Sequence, residues 1–285
     1  MIRLYLIFFL ILISIAGCKK GDKVPAYLEI PEVVVVSANG NDTITSRITD
    51  AWIYVNDELL GVWEIPARVP VLAEGNTRLQ ISPAVKRNGM YDDRFRYPFF
   101  QLWNGEAELV KEGTSIVRPQ IRYINNVDLW TEAFEDAGMQ LSVTAESDTG
   151  LLRYTPANDP DHLLNGTAAG GFVLDQQHPY IRAYTEQDFN VTGGPICLEL
   201  DYSTNVVLTV GVLFSQNNTE QAQPFVYLVP TTQATNLPTW NKIYIDLSPI
   251  FNLAISQRDL YFEAWAPEGG TAKVYLDNIK LVRTS

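Results

Sequence analysis

The chain has 285 residues, of which 46% are hydrophobic, 11% are aromatic and only 19% are charged. This composition, together with 18 Gly and 16 Pro, favours an all-β extracellular protein over a helical one. The formal net charge of −12 makes nucleic acid an unfavourable partner.

The first predicted element is a secretory signal. Arg3 precedes an apolar run from Leu4 to Ile13, and small residues follow it, as in a signal peptide. The run is shorter than the ~20 residues that a membrane-spanning helix needs. The residues Ile15-Ala16-Gly17-Cys18 resemble the bacterial lipobox. The resemblance implies a lipoprotein signal peptide over 1–17, lipidation of Cys18, and a lipidated tether over 18–25 that attaches the protein to a membrane.

Short alternating segments separated by turn residues predict a first β-sandwich over residues 26–124. The predicted strands are 27–29, 33–37, 51–55, 59–65, 78–82, 97–109 and 115–123. Asn56 and Asp57 tolerate positive φ and therefore predict a two-residue hairpin turn. This hairpin, followed by Glu64-Ile65-Pro66, resembles the small sandwich modules of bacterial surface proteins, which implies an Ig-like fold.

The pattern restarts near Asn125 and predicts a second, larger β-sandwich or jelly roll over residues 128–285. Its predicted strands are 133–135, 151–154, 170–174, 180–184, 196–202, 206–214, 225–228, 241–246, 259–265 and 273–282. Cys197 lies in one of these strands. With Cys18 committed to lipid, it has no disulfide partner and is expected to be a buried thiol.

Two motifs near the C-terminus indicate the kind of jelly roll. The segments from Trp240 to Leu247 and from Tyr275 to Leu281 resemble the closing strands of galactose-binding-like jelly rolls, which include many carbohydrate-binding modules. Phe134-Glu135 fits the early strand that pairs with the last strand in that family. Some members hold a structural calcium there, which implies Glu135 and Asp277 as ligands. No other cofactor is expected.

Aromatic side chains are the candidate ligand contacts. Trp265 ends a predicted strand just before a turn that contains Glu268, so both are expected at the rim of the sheet. Tyr180 and Tyr184 are candidate stacking platforms for sugar rings. Burial in the core is the alternative for most aromatic residues.

The sequence predicts no enzyme. The two histidines, His162 and His178, form no zinc, serine-histidine or other recognised catalytic motif. Glycoside hydrolysis by a carboxylate pair is the least favoured alternative.

The lipobox, the Ig-like module and the jelly roll together resemble outer-membrane lipoproteins of Bacteroidota, on the periplasmic or the cell-surface face. Asp42-Thr43-Ile44 fits the site that these bacteria O-glycosylate, with Thr43 as the acceptor. The predicted function is non-catalytic glycan binding through the jelly roll. The alternative is an accessory or structural subunit of an outer-membrane uptake, secretion or assembly complex, which would need a broad apolar patch instead of an aromatic platform beside polar groups.

Overall fold

The computed structural model describes residues 24–38, 44–164, 168–190, 193–217, 219–232 and 239–285. These residues are almost entirely β-structure, as the composition predicts; one short helix, α1 (Ser248–Phe251), and a 3-10 turn (Pro160–His162) are the helical elements among them. None of the helices described is long and apolar enough to cross a membrane. Cys18 and Thr43 lie outside the described residues, so lipidation and O-glycosylation stay predictions.

The described residues of the N-terminal region, 24–38 and 44–124, form ten strands. They are β1 Ala26–Ile30, β2 Val34–Val35, β3 Asp50–Val55, β4 Glu58–Glu64, β5 Ala67–Val71, β6 Gly75–Lys86, β7 Arg94–Arg96, β8 Trp103–Leu109, β9 Thr114–Ile116 and β10 Gln120–Ile121. They form a five-stranded sheet, β4-β3-β6-β7 with β8 also on β6, a three-stranded sheet, β5-β1-β9, and a two-stranded sheet, β10-β2. Buried Leu28, Val35 and Ile53 bring all three sheets to one core.

In the part of the C-terminal sandwich, residues 127–285, that the structure describes, there are eleven further strands. They are β11 Val127–Glu132, β12 Leu141–Val143, β13 Leu152–Tyr154, β14 Ala169–Leu174, β15 Tyr180–Thr185, β16 Ile196–Thr204, β17 Leu208–Gln216, β18 Thr219–Leu228, β19 Asn241–Asp246, β20 Ser256–Trp265 and β21 Ala272–Thr284. The order β13-β14-β21-β16-β19, with β11 also on β21, defines the junction sheet. The order β12-β15-β20-β17-β18 defines the open sheet. Buried Phe172, Leu198 and Phe262 pack between them.

The N-terminal region covers the outer surface of the junction sheet. The Tyr97 ring packs against Tyr244 of β19 with centroids 5.0 Å apart, and Cys197 and Val282 of neighbouring strands are buried in the same apolar cluster. The predicted buried, unpaired thiol at Cys197 is confirmed. Burial raises the pKa of this thiol well above its usual range, which keeps it unreactive.

The hairpin predicted in the N-terminal region is confirmed. Strands β3 and β4 are antiparallel and pair Val55 with Glu58, so only Asn56 and Asp57 form the loop. Their φ angles are 50° and 68°, the left-handed values that a two-residue turn of this kind requires.

Three strand predictions are wrong. Residues 115–123 form two short strands, β9 and β10, which belong to different sheets. Residues 97–109 do not form one strand, because Tyr97, Phe99 and Phe100 turn into the core between β7 and β8. The early strand that pairs with β21 is Val127–Glu132 rather than 133–135. That strand ends before Phe134, which has φ 58° and whose ring fills the space where a side chain at residue 170 would stand.

Candidate ligand-binding site

The alternation of side chains along the open sheet produces a polar and aromatic outer surface. Core and outer positions alternate with a period of two in β15 and β20. The two strands pair in register, so the outer residues meet as the pairs Tyr180 with Trp265, Arg182 with Glu263, and Tyr184 with Tyr261. These six residues and Tyr227 of β18 are called the aromatic face below.

Trp265 and Tyr180 form a platform at one end of the aromatic face. Their ring centroids lie 4.3 Å apart, with 36° between the planes. Trp265 is 60% exposed, whereas Tyr180 is 9% exposed. The buried ring therefore supports the indole, and the indole remains open to a ligand.

A partly buried ion pair lies directly beside this platform. Glu263 Oε2 accepts hydrogen bonds from the Tyr180 hydroxyl at 2.8 Å and from Arg182 Nε at 2.8 Å, and Arg182 Nη2 lies 2.5 Å away. Burial is the main cause that raises the pKa of Tyr180, and the neighbouring Glu263 carboxylate adds to it. The same two causes raise the pKa of Tyr261 to about 12. Both phenols therefore stay neutral hydrogen-bond donors at neutral pH.

A glycine in the middle of the aromatic face leaves room for a tyrosine ring to lie on the sheet. The Tyr261 ring lies across Gly211 of β17, where an added Cβ would approach Tyr261 Cε1 to 2.4 Å. Beyond β17, Tyr227 is 64% exposed. Thr209 pairs with both Tyr227 and Glu263, so the three residues form one row across the sheet on the same face.

Two loops tie down the end of the face that carries Trp265. The Gln176 side-chain amide donates to the Pro267 carbonyl at 3.0 Å, and the Ala266 amide donates to the Pro179 carbonyl at 2.8 Å. Glu268 is exposed in the turn that follows. The platform thus has a carboxylate and an amide within the loops at its rim.

The structure brings four of the predicted contact residues together. Trp265, Tyr180 and Tyr184 share the aromatic face, and Glu268 lies at its rim. Sequence reasoning missed four other residues of the site: Arg182, Glu263, Tyr261 and Tyr227. Alternate positions in the predicted strands 180–184 and 259–265 would have indicated the first three.

The predicted calcium ligands lie elsewhere, on a cleft of about 1440 Å³ between the N-terminal region and the sandwich. Burial, with the charges of Asp201 and Glu135, raises the pKa of Asp277 to about 7, and Lys242 Nζ lies 3.3 Å from Asp201 Oδ2. Calcium takes six to eight oxygen ligands. Within the described ranges, no three His, Cys, Asp or Glu side chains are grouped to hold a metal ion. Calcium at Glu135 and Asp277 stays a prediction.

No protein-family model matches the chain, and no curated protein matches it. Solved structures that resemble it include carbohydrate-binding modules. The CBM22-1–GH10 modules of a Clostridium thermocellum endo-1,4-beta-D-xylanase, complexed with xylohexaose, align with TM-score 0.40 and 16% identity over 54% of this chain and 28% of that one. This chain thus spans under a third of the xylanase structure.

Two smaller modules are also similar to the chain. A family 28 module specific for non-crystalline cellulose aligns with TM-score 0.37 and 15% identity, over 53% of this chain and 91% of that chain. A family 61 module in complex with beta-1,4-galactotriose aligns with TM-score 0.31 and 12% identity, over 51% and 87%. These likenesses concern the β-sandwich architecture.

Proposed function

We propose that the chain is a non-catalytic glycan-binding protein and that the aromatic face holds the sugar. The observation that carries this proposal is the exposed Trp265 ring, stacked on Tyr180 at 4.3 Å beside the Arg182–Glu263 pair. A sugar ring presents an apolar face that packs on aromatic rings and hydroxyl groups that need donors and acceptors nearby. The platform supplies the ring, and the ion pair supplies the polar groups in fixed positions.

Substitution of Trp265 tests this proposal. Trp265→Ala should lower polysaccharide affinity about tenfold or more, because it removes the exposed stacking surface. It should change the free energy of unfolding by less than about 1 kcal/mol, because the side chain is largely in solvent. Affinity electrophoresis in gels that contain xylan, mannan, galactan or non-crystalline cellulose measures the first, and thermal melting the second.

The matched control is Leu59→Ala, which removes an equally exposed apolar side chain, 54% accessible, from the hairpin of the N-terminal region. It should bind like the wild type. Equal retardation of Trp265→Ala and wild type would contradict the proposed site. Absence of wild-type retardation in all four gels would contradict glycan binding of this class and favour the accessory-subunit alternative.

The lipobox supports a further part of the proposal: an outer-membrane lipoprotein of the Bacteroidota type, anchored through Cys18. The N-terminal region, proposed as an Ig-like module, would then stand between the tether and the glycan-binding sandwich. Thr43 is the proposed O-glycosylation site. Both residues precede the sandwich, so neither modification would obstruct the aromatic face by covalent attachment within it.

Cys18→Ser should abolish acylation and release the protein from membranes. Acyl chains contribute about 0.8 kcal/mol per buried CH₂ and are the proposed source of attachment. Metabolic labelling with an alkyne fatty acid, followed by membrane fractionation, measures both effects. Cys197→Ala is the control, because this thiol is buried and should not be acylated; equal labelling of wild type and Cys18→Ser would contradict the anchor.

A further inference from the structure

A second groove, of about 420 Å³, lies where the N-terminal region meets the edge of the sandwich. We call it the junction groove. It contains two exposed tyrosines, one from each part of the chain: Tyr91 is 77% and Tyr227 is 64% exposed. Glu64, Asn241 and other polar residues also line it. The junction groove thus resembles the aromatic face, because both have aromatic rings beside polar side chains.

The loop that carries Tyr91 is fixed against the sandwich. The Asn88 amide donates to the Tyr244 carbonyl at 2.9 Å, and the Asn88 side-chain oxygen accepts from the Asp246 amide at 2.8 Å. Gly89 has φ +73°, and an added Cβ there would lie 3.2 Å from Ile243 Cδ1. The close approach of this loop to β19 therefore favours glycine, and these contacts hold the loop at the wall of the groove.

A lysine of the N-terminal region also holds the Tyr91 ring in place. Lys86 Nζ lies 4.9 Å from the ring centroid, a cation–π distance. The same ammonium group lies 2.9 Å from the buried carboxylate of Asp50. The ring is thus positioned by a paired lysine and still exposes most of its surface.

The groove floor offers a hydrogen-bonding network. The Asn241 side chain donates to the Tyr202 hydroxyl at 3.0 Å and accepts from the Arg47 guanidinium. The Arg47 amide donates to the Tyr244 hydroxyl at 3.1 Å. The two lysines that line the groove are paired with carboxylates, Lys86 with Asp50 and Lys242 with Asp201. The other charged lining residues, Glu64 and Arg47, have opposite signs. This balance favours a neutral, hydroxyl-rich ligand over a strongly charged one.

Tyr227 connects the junction groove to the aromatic face. It lies on β18, three strands from Tyr180 on β15. With neighbouring strands roughly 4.8 Å apart, β15 and β18 lie about 14 Å from each other across the sheet. A ligand that contacts both the Trp265–Tyr180 platform and Tyr227 must therefore be an extended chain.

We propose that the junction groove extends the glycan site, so that one linear oligosaccharide runs across the strands from Trp265 to Tyr227 and Tyr91. This inference rests on the proposed function and names its substrate class: an extended, neutral oligosaccharide several units long. The N-terminal region then contributes directly to binding through Tyr91.

Calorimetric titration with β-1,4-linked disaccharides and hexasaccharides of xylose, mannose, galactose and glucose tests the inference. Tyr91→Ala and Tyr227→Ala should each weaken hexasaccharide binding about two- to tenfold, the effect of losing one exposed aromatic contact. Disaccharide binding at the Trp265 platform should not change in Tyr91→Ala, because a disaccharide on the platform is too short to reach Tyr91. Leu72→Ala, which removes another exposed apolar side chain, 62% accessible, is the matched control.

The outcomes separate this inference from the proposed function. Both tyrosine variants could bind the hexasaccharide as tightly as Leu72→Ala does, while Trp265→Ala loses affinity. That result would contradict the extension of the site into the junction groove and would leave the proposed binding at the Trp265 platform unaffected. An equal loss for disaccharide and hexasaccharide in Tyr91→Ala overturns the extension, because the groove would then be an independent site. Absence of wild-type binding to every sugar overturns both.

Discussion

Asp259, on β20, carries a carboxyl group that the fold makes difficult to ionise. Its Oδ1 is buried without a hydrogen-bond partner among the described residues. Burial, with the charges of Asp188 and Glu220, raises its pKa from 3.8 to about 7. The unfolded chain releases this proton near the lower value, so the folded protein holds an extra proton between them. Stability should therefore fall as pH rises through this window.

Asp259→Asn removes this titration and should be more stable than the wild type at pH 8. We expect a difference on the order of 1 kcal/mol, because the side chain is only partly buried and water screens its charge. The difference should shrink towards pH 4, where the folded wild type is protonated at this site and the unfolded chain approaches half protonation. Urea unfolding between pH 4 and 8 measures it.

Two comparisons make this measurement specific. Asp161→Asn, the same chemical change at an exposed position, is the matched control. Asp277 has a pKa raised to about 7 and contributes in the same direction, so part of the slope should survive in Asp259→Asn. A slope identical to that of the wild type would show that Asp259 ionises normally in the folded protein.

Trp265 shows how far a single residue can be interpreted from the sequence. Its place at a strand end before a glycine-containing turn predicts a rim position, and the structure leaves it 60% exposed. Its stacking on Tyr180 depends on the register between β15 and β20, which the sequence does not state. Arg182 and Glu263 were missed because charged residues in a strand usually indicate a solvated face; only cross-strand pairing brings them to the Tyr180 hydroxyl.

At the scale of elements, strands were predictable where apolar and polar residues alternate between clear turns. The strand Asn241–Asp246 was predicted with its observed bounds. The strand Ala67–Val71 was missed because Pro70 argues against a central strand. Here β5 is the edge of its sheet, where the missing amide of Pro70 costs little.

The error at residues 133–135 has a different cause. The family resemblance placed a strand at Phe134-Glu135, but the backbone leaves β-geometry at Phe134, with φ 58°. Glu132, the last residue of β11, accepts hydrogen bonds from the Phe134 and Gln140 amides at 2.6 Å each. These bonds stabilise the turn. Hydrogen bonds from backbone amides to a buried carboxylate leave no periodic pattern in the sequence, so this turn could not be predicted.

At the scale of the molecule, a buried polar centre joins the two parts of the chain. Glu199 of β16 is fully buried, and its carboxylate accepts hydrogen bonds from Tyr97 at 2.7 Å and from Tyr123 at 2.9 Å. Burial is the main cause that raises the pKa of both tyrosines well above the usual range for tyrosine, and the charge of Glu199 is the second cause. The tyrosines are 102 and 76 residues away in sequence, which is why sequence alone could not find this contact.

We expect Tyr97→Phe and Tyr123→Phe each to lower the free energy of unfolding by about 1–3 kcal/mol, because each leaves the buried Glu199 carboxylate short of a donor. The double variant should lose more than either single one, because both hydroxyl donors to the carboxylate would be gone. Lys242 Nζ, at 3.7 Å, and Lys280, the cross-strand partner of Glu199, would then be the cations beside it among the described residues. Urea unfolding followed by tryptophan fluorescence and circular dichroism measures these losses.

Repeating the series in a Glu199→Gln background distinguishes a polar centre from simple packing. If the hydroxyls act through the carboxylate, their removal should cost less there, and the cycle should yield a coupling energy of about 0.5–3 kcal/mol. Tyr91→Phe, whose hydroxyl belongs to a side chain largely in solvent, is the control and should be neutral. Equal losses in both backgrounds would mean that Glu199 does not couple the two parts, and that the aromatic packing of Tyr97 on Tyr244 holds the N-terminal region against the junction sheet.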